Sequence, residues 1–492
     1  MTNTDEGNFR IENGEIGVME GGCDAPLGSS ASRIVPLVVA SALFMDLMDS
    51  AALATALPTL AQVFHTDPVN LKLALTAYLL TIAVLVPASG WLSNRYGAKA
   101  VFMTAMGVFV LGSICCGLSN SVPQMVIARV LQGLGGSMMT PVGRSIVVAS
   151  TPRPHLVQAM AWFTIPAILG PLVGPPLAGV ILENGSWRWI FLINVPVGIS
   201  GIIAVLWFVP ATAALSDKAF DFLGFFLLGA AITAFMALVE TAALAGEALP
   251  IRLFAVASAL AAFATYCRYS VRRENPIIDL RLLRRDTLLV SLLASWLQRM
   301  PMGAMPFLLP LLLQVGMDLS ALRASEVMIA MACGGLISRF IAPPLIGRLG
   351  FRWSMLIFGA ATALLSASPA MFRAGTPVVA MMVAMGLTSM IRSAFFIPAA
   401  TLAYADVIED EVGQASVLFT VAQQLSLAMG VTMAAELLKV SMAHAGPMVP
   451  ERFVLPFLAM AGIGGLSLPI VWMMRNSAGE ALRNRRPAPP SG

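Results

Sequence analysis

Charged residues are scarce in this sequence. Asp, Glu, Lys and Arg together make up 11% of the 492 residues, whereas hydrophobic residues make up 58%. Soluble globular domains contain about 25% charged residues, so the composition excludes that class. Apolar runs of about 20 residues, long enough to cross a bilayer as helices, recur along the chain. We therefore expect an all-α, multi-pass membrane protein.

Several chemical signatures are missing as well. No Gly-Lys-Ser/Thr phosphate loop occurs, which argues against an ATP-driven pump. The five cysteines lack metal-ligand spacing and are interpreted as free thiols packed in helices. No nucleophile is paired with a base, and the basic residues lie in loops instead of forming a nucleic-acid patch. We expect no enzymatic activity, no cofactor, no metal and no nucleic-acid partner.

The apolar runs predict fourteen spans. They lie near 34–57, 73–93, 100–119, 122–146, 156–183, 187–209, 221–244, 250–270, 287–315, 323–346, 353–371, 376–403, 413–441 and 452–475. An even number of spans places both termini on one side. Most Lys and Arg outside the spans fall on that side, including a cluster of arginines within 268–285, so the termini are expected in the cytoplasm.

The spans divide into predicted domains. Residues 1–33 are polar, glycine-rich and acidic and lack a signal-peptide pattern, so they are expected to form a disordered cytoplasmic tail. Residues 34–209 would form a six-helix bundle, 210–286 two inserted helices with a basic loop, 287–475 a second six-helix bundle, and 476–492 a second cytoplasmic tail. The protein is expected to lie in the cell (inner) membrane.

An internal repeat relates the two bundles. Asn94-Arg95-Tyr96-Gly97-Ala98-Lys99 joins spans two and three, and Gly347-Arg348-Leu349-Gly350-Phe351-Arg352 joins spans ten and eleven, 253 positions later. Parallel halves with a site at the midplane between them are a transporter architecture. The alternative is two unrelated cytoplasmic turns that both satisfy the positive-inside bias.

Two carboxylates, Asp46 and Asp49, lie inside the first span. An ionised Asp at mid-membrane costs roughly 2.5–3.5 kcal/mol, so each should face a partner, water or a bound proton. Residues three apart share a helix face, and two neighbouring acids are not easily both charged. The pair suits proton uptake and release. The alternative is a structural ion pair at one carboxylate, with the other protonated or reaching the membrane surface.

Four further motifs combine glycine, proline and buried charge. Gly90 to Lys99 ends span two, where Gly90 is expected to let helices approach closely and Gly97 to permit the turn. Arg129, Gln132 and Gly133 lie in span four, with Arg129 at the same expected depth as Asp49. Span five carries Gly170, Pro171 and Gly174. The proline is expected to kink the helix and the glycines to pack it closely, which fits a helix that bends or seals a gate. Span six opens with Trp187-Arg188-Trp189 at the outer interface.

Together these motifs resemble those of the major facilitator superfamily, specifically its fourteen-helix drug:proton antiporter branch, over nearly all of residues 34–475. The resemblance implies a proton-coupling Arg at Arg129, a first-helix motif from Asp49 to Pro58 and an antiporter motif at Gly170–Pro175. It implies gating roles for a larger set: Gly90, Asn94, Arg95, Gly97, Lys99, Gln132, Gly133, Gly170, Pro171 and Gly174.

Four positions depart from that family pattern. Asn94 stands where the family loop usually has Asp, and Ala51 and Ala54 replace the polar residues usual in the first helix. Asp46 stands where the branch more often has an uncharged residue. Gating and substrate choice follow less directly from the resemblance than fold and transport do.

The second half offers Arg299 in span nine and Arg392 in span twelve. Guanidinium groups opposite the acids predict a cavity for an amphiphile with an anionic or zwitterionic head group. The alternative is that each Arg binds helix-end carbonyls. Met300, Met302 and Met305 either line a forgiving apolar pocket or only fill space. Glu240 and Glu436, near outer span ends, are expected at the membrane interface.

The sequence therefore favours a monomeric, proton-coupled exporter of hydrophobic or amphiphilic compounds, with protons and the lipid bilayer as its other partners. A second hypothesis is a proton-driven carrier of one solute, such as a lipid-like molecule or a siderophore. A third is a non-transporting membrane receptor or channel, which the two repeated halves and the midplane acids argue against.

Overall fold

The computed structural model describes residues 31–152, 155–210, 219–243, 249–273, 276–408, 411–442 and 448–474. Apart from 31–33, which begin the first helix, both predicted tails lie outside these residues. In chain order the α-helices are α1 (Ala31–Val63), α2 (Lys72–Leu85), α3 (Ser89–Tyr96), α4 (Ala98–Leu118), α5 (Val122–Ser150), α6 (Leu156–Asn184), α7 (Trp189–Leu192), α8 (Asn194–Phe208), α9 (Phe222–Ala243), α10 (Leu249–Arg272), α11 (Asp286–Leu311), α12 (Ala321–Leu349), α13 (Phe351–Ser366), α14 (Val378–Ala403), α15 (Val412–Met442), α16 (Val454–Gly465) and α17 (Ser467–Trp472). The described residues contain no β-strand.

Twelve helical segments among the described residues are long and apolar enough to cross a membrane. Helices α5 and α11 reach 29 and 26 residues without joining that set. Each of these two helices contains a Gln and an Arg close together in sequence, which lower the apolar content of the helix. The residues are Arg129 and Gln132 in α5, and Gln298 and Arg299 in α11. All four of these polar side chains are buried. Helices α5 and α11 therefore carry polar side chains that lie inside the protein.

The two halves repeat the same local geometry at their basic loops. Gly97 has φ 83° and Gly350 has φ 79°, the left-handed region that glycine adopts at little cost. Just after each glycine a basic side chain reaches the last helix of its own half. Lys99 Nζ donates to the Val209 carbonyl at 2.6 Å, and Arg352 donates to the Trp472 carbonyl at 2.6 Å. These matching contacts support the internal repeat.

The halves meet at the end of the bundle where α1 ends and α2 begins, here called the far end. Gln314 donates to the Thr55 carbonyl at 2.9 Å, and the Leu322 backbone N–H donates to Glu183 at 3.3 Å. One apolar cluster at this end draws residues from both halves. At the opposite end, separate clusters belong to the first half and the second half. The structure is therefore a conformation closed at the far end.

Helices α9 and α10 pack together and against both halves. Their cluster joins apolar residues of α2, α11 and α15, and the Phe235 ring lies 6.4 Å from that of Trp296 in α11. The inserted helices thus brace the boundary between the halves along one side.

A group of charged side chains lies at the far end. Lys72, between the predicted spans 34–57 and 73–93, begins α2 and is 2% exposed. It pairs with Glu240 of α9 at 2.5 Å and with Glu436 of α15. Glu436, expected at the interface, is 4% exposed and also pairs with Lys439 at 3.0 Å. We call Lys72, Glu240, Glu436 and Lys439 the Lys72 cluster. Lys72 and Glu436 are buried at its centre, where opposite charges offset the cost of burial.

Candidate functional site

Asp49 is held in α1 at the place where α6 presses closest. A Cβ atom at Gly170 would lie 2.9 Å from the Met48 backbone N, and one at Gly174 would lie 2.7 Å from the Met48 carbonyl oxygen. Only glycine allows this approach. The carboxylate of Asp49, on the residue after Met48, is not exposed at all (0%). The glycines of the antiporter-like motif therefore fix the helix segment that carries the buried acid.

Three side chains donate to the Asp49 carboxylate. Arg129 Nη1 lies 2.5 Å from Oδ2, Gln132 Nε2 donates to Oδ1 at 2.9 Å, and Asn194 Nδ2 donates to Oδ1 at 2.7 Å. Arg129 is 1% exposed, and Gln132 and Asn194 are 0% exposed. Because buried charges are stable only when paired and hydrogen-bonded, this set of donors suits the ionised carboxylate.

Gln132 orients both members of the ion pair. Its Oε1 accepts from Arg129 Nη1 at 2.5 Å, and its Nε2 also donates to Ser113 Oγ at 2.8 Å. A Cβ atom at Gly112 would lie 2.6 Å from the Gln132 Cα, so α4 and α5 touch at this level. We call Asp49, Arg129, Gln132, Asn194 and Ser113 the Asp49 network. It joins α1, α4, α5 and α8 through polar groups alone.

Asp46 lies on the same side of α1 but is only half-buried. The Tyr78 hydroxyl of α2 donates to its carboxylate, and the Arg129 guanidinium lies 4.3 Å from the centre of the Tyr78 ring. Arg129 also donates from Nε to the Ala74 carbonyl at 3.3 Å. The two acids are therefore connected through Tyr78 and Arg129. In this conformation Asp46 is the more exposed of the two acids, and Asp49 is fully buried.

The residues assigned to gating lie in different surroundings. Gly90 is exposed and a Cβ atom there would meet nothing within 4 Å, so the expected close helix approach at Gly90 is wrong. Asn94 and Arg95 are exposed, whereas Gly133 packs α5 against α2, with a Cβ position 2.8 Å from Thr81 Cβ. Pro171 is half-buried within the unbroken helix α6.

The second-half arginines are both buried. Arg299 of α11 is 8% exposed and its guanidinium stacks over the Phe396 ring at 4.2 Å. Arg392 of α14 is 7% exposed and donates to Ser389 Oγ at 3.2 Å. Met300 and Met305 are buried, and Met305 packs in the far-end apolar cluster, which favours the space-filling alternative for that side chain.

The family model of the major facilitator superfamily matches residues 39–431 of this chain. The chain belongs to the major facilitator superfamily. It is therefore a multi-pass transporter, as its spans and motifs predict, and not an enzyme.

Related proteins and solved structures agree with this family. The chain is 35% identical over 450 residues to multidrug resistance protein MdtD of Klebsiella pneumoniae (strain 342), covering 89% of this chain and 93% of that protein. It is 35% identical over 409 residues to the MdtD protein of Escherichia coli O81 (strain ED1a), covering 82% and 85%. Among solved structures, a D-xylose-proton symporter superposes with a TM-score of 0.66 at 14% identity, covering 90% of this chain and 97% of that one. An autoinhibited POT family peptide transporter gives 0.66 at 14%, covering 93% and 99%. These two likenesses show the fold.

Three residues that surround the acids in this major facilitator protein were not selected from the sequence. Asn194 and Ser113 belong to the Asp49 network, and Tyr78 contacts Asp46 and Arg129. Each is a polar side chain within a mostly apolar helix, which is a usable signal. The sequence does not show which helices meet, so their common target could not be identified.

Within the part of the chain that the structure describes, no group of three or more His, Cys, Asp or Glu side chains is arranged to hold a metal ion. The polar chemistry of the site there consists of one sealed ion pair, one half-buried acid and two buried guanidinium groups.

Proposed function

We propose that this transporter is a proton-coupled antiporter that exports hydrophobic or amphiphilic compounds by alternating access, as a multidrug efflux carrier. The names of its 35%-identical relatives support drug export. The observation that carries the coupling is the Asp49–Arg129 ion pair, 0% and 1% exposed, between two helices of the first half.

Protonation of Asp49 removes the counter-charge of Arg129. Breaking a buried ion pair by removing one partner costs about 3–5 kcal/mol. Reversing a two-state population from 1:99 to 99:1 requires about 5.5 kcal/mol. The two magnitudes are close, so protonation at this one carboxylate supplies most of the energy needed to change which conformation is populated.

The half-buried Asp46 is a second carboxylate that takes part in the proposed proton coupling. In this proposal the proton enters when the far end opens, is held in the Asp49 network, and leaves towards the other side while substrate moves outward. In this proposal the Tyr78 side chain couples the two acids, since its hydroxyl donates to Asp46 and its ring lies under the Arg129 guanidinium.

The test is export in everted vesicles across a panel of hydrophobic compounds, with and without a pH gradient. We expect gradient-dependent export in the wild type, and none for Asp49→Asn despite normal insertion in the membrane. Export that persists after the gradient is collapsed would refute the coupling. Transport of a single member of the panel would instead favour the carrier of one specific solute.

We also propose that α5 and α11 cross the membrane, giving fourteen spans in the inner membrane with both termini in the cytoplasm. The burial of their polar side chains supports this proposal. Cysteines introduced singly at Asn120 and His155, which flank α5, should react with an impermeant thiol reagent from opposite sides of the membrane. Labelling of both from the same side would exclude α5 as a span.

A further inference from the structure

Arg299 and Arg392 are buried positive charges without a negative partner. Among the described residues neither forms an ion pair, and the Arg299 Nε–H has no hydrogen-bond acceptor. Arg392 makes one hydrogen bond, to a neutral hydroxyl. Arg129, by contrast, is 1% exposed and has Asp49 as its negative partner. A guanidinium carries five N–H donors, so most of the hydrogen-bonding capacity of this pair is unused.

The two arginines belong to one patch. Phe396, the ring under the Arg299 guanidinium, lies one helical turn after Arg392 on α14. On α11, Ser291 and Ser295 precede Arg299 at spacings of four residues and therefore share its face. Both serine hydroxyls are buried without a hydrogen-bond partner in the described structure. The patch thus presents two positive groups and unused hydroxyl donors beside an aromatic ring.

The acids of the first half do not neutralise this patch. The 253-position offset between the two basic loops relates Asp46 of α1 to Arg299 of α11, and α1 and α11 lie next to each other. Yet Asp46 is bonded to Tyr78 and Asp49 to Arg129. A buried, unpaired charge inside a membrane protein is costly and marks a functional site by default.

We propose that Arg299 and Arg392 bind the carboxylate or phosphate group of the exported compound, with its apolar part against Phe396. The inference rests on the proposed export function and narrows the substrate class to organic anions. Guanidinium groups bind both anions through paired N–H donors, and the half-buried Phe396 ring offers apolar surface beside them.

Binding is tested on the purified full-length protein in phosphatidylcholine nanodiscs. The probes are octanoate, octyl phosphate, octylamine and octanol, which share one chain length and differ in head group. Thermal unfolding is followed as each probe is titrated. We expect octanoate and octyl phosphate to raise the Tm, and octylamine and octanol to raise it much less.

Single variants then locate the site. Arg299→Gln and Arg392→Gln should each weaken octanoate binding at least about tenfold, the effect of losing one charge-assisted contact. Arg339→Gln is the matched control, because Arg339 is exposed on α12. Arg299→Lys keeps the charge, so it should bind octanoate better than Arg299→Gln and serves if the Gln variant does not fold. Equal binding by the wild type and both Gln variants would overturn the proposal.

Two further results separate the possibilities. If phosphatidylglycerol in the nanodiscs raises the Tm by itself and removes the effect of octanoate, the occupant is a membrane lipid, and the export proposal for this site is wrong. If the wild type shows no preference for anions but exports a cation under a pH gradient, the anion site fails and the antiport stands. If octanoate binding depends on the arginines but export ignores the gradient, the antiport fails and the site stands.

Discussion

At the scale of one residue, two arginines on α5 show that the role of a charged side chain depends on its surroundings. Arg129 is 1% exposed and bonded to Asp49, Gln132 and the Ala74 carbonyl, whereas Arg144 is exposed. The three contacts of Arg129 require a planar group with several N–H donors in fixed directions, which lysine lacks.

Arg129→Lys should therefore keep the charge but lose proton-driven export, by at least about tenfold in rate, because one charge-assisted hydrogen bond is worth roughly 1.5–3 kcal/mol. The rate is measured in everted vesicles at matched protein levels. Arg144→Lys, the same change on the same helix, should transport at the wild-type rate. Equal rates for the two variants would show that the hydrogen bonds of the Arg129 guanidinium are not needed for transport.

The sequence was informative about some of these residues for a physical reason. A charge in a span is costly wherever it lies, so Asp49 and Arg129 stand out without any knowledge of packing. Uncharged polar residues such as Asn194 and Ser113 are tolerated in many helices, and their importance depends on which helices meet. The pairing of Lys72 with Glu436 could not be predicted either, since 364 positions separate them.

At the scale of helices, glycines with the same prediction have opposite environments. Gly174 and Gly90 were both expected to allow close packing, but a Cβ atom at Gly174 would lie 2.7 Å from the Met48 carbonyl oxygen, whereas one at Gly90 would meet nothing within 4 Å. Both lie within helices, α6 and α3.

Gly174→Ala should lower the Tm of the purified protein by several degrees, because α1 and α6 must separate to admit the methyl group. Gly90→Ala should leave the Tm unchanged or raise it, since alanine in a helix is favoured over glycine by roughly 0.5–1 kcal/mol. Thermal unfolding in detergent compares the two directly. A smaller effect at Gly174 than at Gly90 would contradict the packing of α1 on α6.

The repeat was readable because each basic loop needs a glycine at positive φ, and such glycines are visible in a sequence. The positions of α9 and α10 were not readable. Their apolar composition predicts that they lie in the membrane, but it does not predict which side of the bundle they pack against. The structure shows that side, because Phe235 and its neighbours contact α2, α11 and α15. Helices α5 and α11 were predicted as spans from their apolar runs, although neither is among the twelve candidate spans of the described residues.

At the scale of the whole molecule, the Lys72 cluster joins α2 of the first half, α15 of the second half and the inserted α9. Removing Lys72 leaves Glu436, 4% exposed, with Lys439 as its remaining partner. Since truncating one partner of a buried ion pair costs about 3–5 kcal/mol, the far-end-closed conformation should lose population in Lys72→Gln.

The population is measured as the distance between spin labels at Asn184 and Arg323, which are exposed on opposite halves at the far end. A cysteine-less background is needed. We expect a longer distance to gain population in Lys72→Gln, and little change in Lys439→Gln, whose lysine is 36% exposed and pairs within α15. An unaltered distance distribution in Lys72→Gln would mean that the cluster stabilises the fold without selecting a conformation.

Sites of opposite charge in the two halves have a consequence for energetics. If one proton enters through the Asp49 network for each monovalent anion that leaves from Arg299 and Arg392, two positive charges move inward per cycle. A membrane potential contributes about 2.3 kcal/mol per charge per 100 mV, so two charges at 100 mV supply roughly 4.6 kcal/mol, about three orders of magnitude in accumulation.

Octanoate export in proteoliposomes should then respond to an imposed potassium diffusion potential even when the pH is equal on both sides. Arg339→Gln should keep this response, whereas Arg392→Gln should lose octanoate export. Export driven equally well by potentials of either sign would contradict the exchange of a proton for an anion.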